Sequence, residues 1–183
     1  MIRVNNTSQA YGLVAQALHW LVVVAIAAQF IWAWRIDQAE SIRSEFQLVN
    51  QHKSIGMTVL GLVVLRLLWR AFNRPPAFPA SMPAWERAAA SSAHWLLYAL
   101  ILAMPLSGWA YTSAAGFGPE FFGLLDIPDL VGQSERLEEI FGEIHEWLAI
   151  AIATVVAIHV LAAVRHQFIL KDGLLRRMLP VWK

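Results

Sequence analysis

The sequence predicts an all-α integral membrane protein, a four-helix bundle, from its composition, its four long apolar runs and the placement of its charges. Hydrophobic residues make up 58% of the 183 and charged residues only 15%, against roughly 45–50% and about 25% in soluble domains. The runs, roughly 11–34, 48–69, 94–111 and 145–168, hold about 18 to 24 residues each, enough at about 1.5 Å per residue to cross a hydrocarbon core of about 30 Å with tilt and interfacial ends. A soluble bundle could match these lengths. It could not easily leave Leu13 to Trp34 without one Asp, Glu, Lys or Arg on any face.

The first run follows a polar N-terminus (Met1 to Gln9) and is too long for a signal-peptide core, with no small-residue cleavage site, so it reads as a retained first helix. Trp20, Trp32, Trp34, Trp69, Trp95, Trp109 and Trp147 lie in or at the ends of apolar stretches, most of them near an end, where amphipathic rings favour the membrane interface. The whole chain, 1–183, reads as one transmembrane domain, with no internal repeat and nothing that points to a nucleic-acid partner.

Orientation follows from the charges. With an even number of spans both termini share a side, together with the link between the second and third helices. That side carries ten basic residues (Arg3, Arg66, Arg70, Arg74, Arg87, Arg165, Lys171, Arg176, Arg177 and Lys183), and the other carries four (Arg35, Arg43, Lys53 and Arg136). The positive-inside bias makes the termini cytoplasmic. Of thirteen acidic residues, only Glu86 and Asp172 fall inside.

The connections differ in character. Asn73 to Pro83 is Pro-rich and reads as irregular, and Ala84 to Ser92 reads as a short helix leading into the third span. The long outer loop, Ser113 to Glu143, is acidic. Within it Leu137, Ile140, Phe141 and Ile144 recur at helical spacing, which starts the fourth helix outside the bilayer with one apolar side against the bundle.

The chain has no cysteine, which excludes disulfides, thiolate nucleophiles, cysteine-ligated iron–sulfur clusters and covalent haem attachment through CxxCH. A metal site must use histidine, methionine or oxygen ligands. All six histidines lie in or at the ends of the spans. An isolated intramembrane histidine is most often a bundle-facing residue with one hydrogen bond, but depth distinguishes four of these. His145 and His159 are fourteen residues apart, about 40° short of four turns, so they share a helix face about 21 Å apart. His19 lies about 12 Å above the inner start of its helix and His159 about 9 Å above Arg165, which puts both on an inner level. His52 and His145 stand about 27 and 30 Å above the inner ends of their helices and share an outer level. Two pairs on two levels, each from different helices, predict bis-imidazole ligation of two b-type haems, with His19, His52, His145 and His159 as iron ligands and no open position for oxygen.

His94 and His166 fit neither level. Each reads as an interfacial histidine or, more sharply, as part of a quinone site, where an imidazole near water donates to a carbonyl and passes protons. Arg66, the one charge inside a span, either snorkels to the cytoplasmic interface or meets a propionate of the inner haem. Lys53, beside His52, is a weaker candidate for the outer haem's propionates. Gly56 and Gly61, with Gly142 before His145, would admit a flat macrocycle.

These residues resemble the prokaryotic cytochrome b561 family. The resemblance rests on Leu18-His19-Trp20; Asn50-Gln51-His52-Lys53-Ser54-Ile55-Gly56; Leu65-Arg66-Leu67-Leu68-Trp69-Arg70 followed by Pro75-Pro76; Ala93-His94-Trp95-Leu96-Leu97-Tyr98 through Pro105-Leu106-Ser107-Gly108; Ile144-His145-Glu146 with His159; and the tail from Lys171 to Met178. It covers essentially the whole chain. It implies the same four haem ligands and a multi-pass protein of the bacterial inner membrane. For some members it also implies a superoxide oxidase that passes an electron from superoxide, through both haems, to ubiquinone. The outer side here carries eleven acidic and four basic residues, a surface that repels an anion over about 8–10 Å. Two other functions therefore stand beside that one: a cytochrome b subunit that accepts electrons from a periplasmic redox protein, steered by the acidic loop, and a non-catalytic membrane protein with histidines lining a polar path.

Overall fold

The structure, a computed structural model, describes residues 3–179. Lys183, one of the basic residues of the inner side, lies outside them. The elements in chain order are α1 (Leu13–Asp37), α2 (Ile42–Phe72), α3 (Ala84–Ala114), the short strands β1 (Glu120–Phe121) and β2 (Leu125–Asp126), and α4 (Glu135–Arg165). A π turn (His166–Leu170) and a 3₁₀ turn (Leu175–Arg177) follow. All four α-helices are long and apolar enough to cross a membrane.

Each of α1 to α4 runs past at least one end of the apolar run that predicted it, because helix ends are set by capping and not by lipid. Ser41 caps α2: its hydroxyl accepts the Ser44 amide at 3.2 Å, and the Ser44 hydroxyl reaches back toward the Ser41 amide at 3.2 Å. Ser134 caps α4 by accepting the Leu137 amide at 3.4 Å, with Glu135 and Glu138 in the first turn, where carboxylates complement the helix dipole. Ala84 to Ser92 is no separate helix; it is the first part of α3. The early start of the fourth helix agrees with the periodicity of Leu137, Ile140, Phe141 and Ile144.

Helix α1 lies along α2 and α3 along α4, and α2 against α3 joins the two pairs. The tight core is small: Val22, Val59, Val63 and Ile101, with Ala25, Ile26, Leu62, Leu97, Tyr98 and Leu102 around it. Large apolar side chains cover the outside, among them Leu161 at 67% and Trp147 at 69% exposure. Helices that are apolar toward both neighbour and surroundings suit a lipid solvent.

Hydrogen bonds tie the N-terminal segment, the α2–α3 link and the C-terminal tail together at one end. The Asn6 amide donates to Asn73 O at 3.1 Å, the Trp20 indole to Met178 O at 3.0 Å, and Arg177 to Ala77 O at 2.7 Å. These three segments therefore share a side, as the even span number requires.

At the other end, the outer loop carries a feature that helical periodicity could not register, a two-stranded hairpin with Glu120 opposite Asp126. Its tip turns through positive φ at Phe122 and Gly123. Ser54 of α2 fastens it: this nearly buried hydroxyl lies 2.9 Å from the Asn50 and Glu120 carbonyl oxygens and accepts the Phe122 amide at 3.0 Å. Lys53 adds donors to Phe117 O at 3.0 Å and Gly118 O at 3.3 Å. Ser54→Ala removes the hairpin's partner, at a local cost of about 1–3 kcal/mol. Protease cleavage between residues 117 and 127 should then accelerate roughly fivefold or more, with helix content unchanged by circular dichroism. An unchanged rate would mean that Ser54 does not hold the hairpin.

Candidate haem sites

The outer site lies between the helix pairs. A cavity of about 710 Å³, mostly apolar, is lined by His52, Gly56, Ile101, Gly108, His145 and Ile152 among others, a size within the usual range for cofactor pockets of about 300–1,000 Å³. The His52 and His145 rings face each other across it with centroids 6.3 Å apart and planes at 73°. Two imidazoles on one metal ion, with bonds of about 2.0 Å and about 1.1 Å from each bonded nitrogen to its ring centre, place the centroids about 6.2 Å apart. Among the described residues no three His, Cys, Asp or Glu converge as a bare metal ion would need. Two opposed imidazoles in an apolar slot suit an iron whose other ligands come from a porphyrin.

The neighbours of His145 fit the same purpose. The Ser107 hydroxyl lies 2.8 Å from Met104 O and 3.0 Å from His145 Nδ1. A carbonyl only accepts, so the single hydroxyl proton goes to Met104 and His145 Nδ1 must donate. That leaves the lone pair on Nε2, the tautomer an iron ligand needs. Pro105, buried in α3, removes a backbone donor there. Gly108 brings α3 against the ring: a Cβ at this position would lie 2.8 Å from His145 Cε1. Of the glycines expected to admit a macrocycle, only Gly56 lines the cavity. Gly61 meets nothing within 4 Å and Gly142 faces Tyr111.

The inner group gathers His19 of α1, Arg66 of α2, His94 and Tyr98 of α3, and His159 of α4. Arg66 does not snorkel. Its Nη1 lies 2.6 Å from His19 Nδ1 and its Nε donates to the Tyr98 hydroxyl at 3.1 Å. The His94 ring sits 5.4 Å from that of His159, so His94 belongs with the inner level it was expected to miss. Depth counting failed here because α3 begins at Ala84, which puts His94 about 15 Å along its helix and not at the end. Tyr11, just before α1, faces the same charges: burial pushes its phenol above the ordinary 10.0 against the pull of Arg70 and Arg66.

Two expected site residues are engaged elsewhere. His166 is buried, with Nδ1 2.5 Å from Asp172 and Nε2 3.5 Å from Glu86, so its Nδ1 is already engaged. Lys171, in left-handed conformation at φ 53°, turns the chain so that Asp172 reaches back to it. Slight burial would raise the Asp172 carboxyl, but hydrogen bonds from the Leu174 amide and His166 hold it below the ordinary 3.8. Lys53 spends two donors on the outer loop rather than presenting them to a propionate. Sequence reasoning missed the roles of Ser107 and Gly108, although a proline, serine and glycine together inside a span were a signal.

Four apolar helices long enough to span a membrane, with His52 and His145 opposed between them, define a multi-pass helical membrane protein. The family model for prokaryotic cytochrome b561 matches residues 10–181. The chain is 31% identical over 176 residues to cytochrome b561 homolog 2 of Escherichia coli (strain K12), covering 96% of this chain and 94% of the relative. It is 30% identical over 164 residues to that organism's cytochrome b561 homolog 1, covering 89% and 93%. It is also 30% identical over 176 residues to the probable superoxide oxidase CybB of Yersinia pestis, covering 93% and 96%. The chain belongs to the prokaryotic cytochrome b561 family, and as such is a membrane electron-transfer protein whose family implies b-type haem.

Gly108→Val should push the His145 ring out of line and lower haem content by about one per chain, while Gly61→Ala, with open space around it, should leave haem content unchanged. Haem quantified per chain in the two purified variants checks this; equal loss in both, or in neither, would contradict the assignment of Gly108.

Proposed function

We propose that the chain is a dihaem b-type cytochrome of the bacterial inner membrane, termini cytoplasmic, that takes electrons on the outer side and delivers them to a membrane quinone, ubiquinone being the expected acceptor. The observation that carries this reading is the opposition of His52 and His145 at the spacing of two axial ligands. His19 and His159 are the proposed inner pair. Haem b held by these pairs would supply reversible one-electron chemistry.

The chain's own residues do the rest. Ser107 holds His145 in the ligating tautomer, and the apolar walls of the outer cavity keep water away. His94, beside His159 on the inner level, is the proposed proton donor to a quinone carbonyl, in preference to His166, whose Nδ1 is held by Asp172. Superoxide is the proposed donor, supported by the name of the Yersinia pestis relative. Two superoxide ions lose one electron each to become oxygen, and a quinone takes the two electrons and two protons to become quinol. The acidic outer surface favours a second reading, in which a basic soluble redox protein delivers the electrons.

Mixing superoxide pulses with the oxidised protein should reduce the haem absorbance within the mixing time. Slow reduction by superoxide alongside fast reduction by a basic soluble cytochrome would give the function to the second reading. His145→Ala should lower haem content from two to about one per chain; equal loss of both haems would break the proposed pairing. His94→Ala should retain both haems yet slow their reoxidation by added quinone roughly 10²-fold, the low end for a lost general acid.

A further inference from the structure

Arg66 and Arg70 stand one turn apart on α2 and both turn toward α3. The Arg70 guanidinium lies 5.1 Å from the Trp95 ring centre and 5.6 Å from that of Tyr98, and the Arg66 guanidinium lies 5.6 Å from Tyr98. Among the described residues neither has a carboxylate partner. The two inner acidic residues are already engaged, Glu86 with Arg165 and His166, and Asp172 with His166. Two guanidiniums at the edge of a hydrocarbon phase without counter-charge are costly, and such residues mark a ligand or a partner. Tyr98 adds a third donor: its oxygen accepts from Arg66, so its own proton is free for an anion.

The contact between Arg66 and His19 fixes the tautomer of the histidine. An arginine cannot accept a hydrogen bond, so His19 Nδ1 must be the acceptor and neutral His19 carries its proton on Nε2. Ligation of a metal through Nε2 moves that proton to Nδ1, where it would point at a donor. Arg66 and His19 must then part, and Arg66 needs a new acceptor.

We infer that Arg66, Arg70 and Tyr98 form a clamp for the two propionates of the inner haem, and that Arg66 leaves His19 to complete it when the haem is seated. Two positive charges meet two carboxylates, and arginine's fork suits a carboxylate in bidentate geometry. The inference rests on the dihaem reading above, from which its test can be separated.

Full-length chain prepared free of haem is titrated with haem b and with haem b dimethyl ester, which keeps the macrocycle and blocks both carboxylates. The wild type should hold haem b at one of its two sites more than tenfold tighter than the ester. Arg66→Gln and Arg70→Gln should each shrink that gap, their combination should abolish it, and Arg66→Lys should restore part of it. In case the haem-free chain does not hold its fold, redox titration of the purified loaded variants gives a second readout. Loss of a nearby positive charge should lower one of the two midpoints and leave the other in place. A gap as wide in the double variant as in the wild type, or two unmoved midpoints, would overturn the clamp and turn the arginines over to lipid phosphate. A wild-type protein with no b-type spectrum would remove the dihaem reading itself, a failure distinct from either.

Discussion

Hydrocarbon supplies no hydrogen-bond partners, and the rest of this structure follows from that constraint. Backbone groups inside a bilayer are satisfied within helices, and polar side chains on those helices must find partners in the bundle. The hydroxyls of Thr58 and Thr154 bond to carbonyls one turn back on their own helices, at 2.9 Å each. Ser54 and Ser107 do the same and have acceptor capacity left over, which one spends on the outer hairpin and the other on His145. The imidazoles cannot be satisfied so locally. They turn inward, where each must find a hydrogen bond or a metal.

The loose centre of the bundle follows from that demand. Tight packing of all four helices around one apolar seam would close the space between His52 and His145. Instead α1 with α2 and α3 with α4 form two pairs joined where Val59, Val63 and Ile101 meet, and the cavity opens above them. Gly56 and Gly108 keep its walls flat. The engaged partners around His166 and the unpaired Arg66 and Arg70 make the same point from the opposite side. Inner carboxylates are few, so where they are spent decides which cations remain for a ligand.

Four helices were legible in the sequence because crossing a bilayer leaves a mark in every residue of a span. The facing of His52 and His145 was legible for a related reason: position along a helix is linear in sequence, so depth can be counted. The same count misplaced His94, since it assumed that α3 began at the apolar run, and the alanine-rich turns from Ala84 to Ala93 extend it. Lys53 and His166 went to partners that spacing could not supply, namely loop carbonyls and a carboxylate brought back by a left-handed residue. Ser107 and Gly108 escaped because their roles depend on how closely α3 approaches α4. Such an approach is a property of two helices, and periodicity along one does not report it.

The central claim is that this chain holds two haems, each between two imidazoles. Low-temperature electron paramagnetic resonance of the oxidised, purified protein tests it directly, because spin state reports axial ligation. Two low-spin ferric centres per chain are expected, with little high-spin iron. The 73° between the His52 and His145 planes leaves two iron d orbitals nearly degenerate, so that centre should give a strongly anisotropic signal. A single centre per chain, or a dominant high-spin signal with an open axial position, would contradict the account.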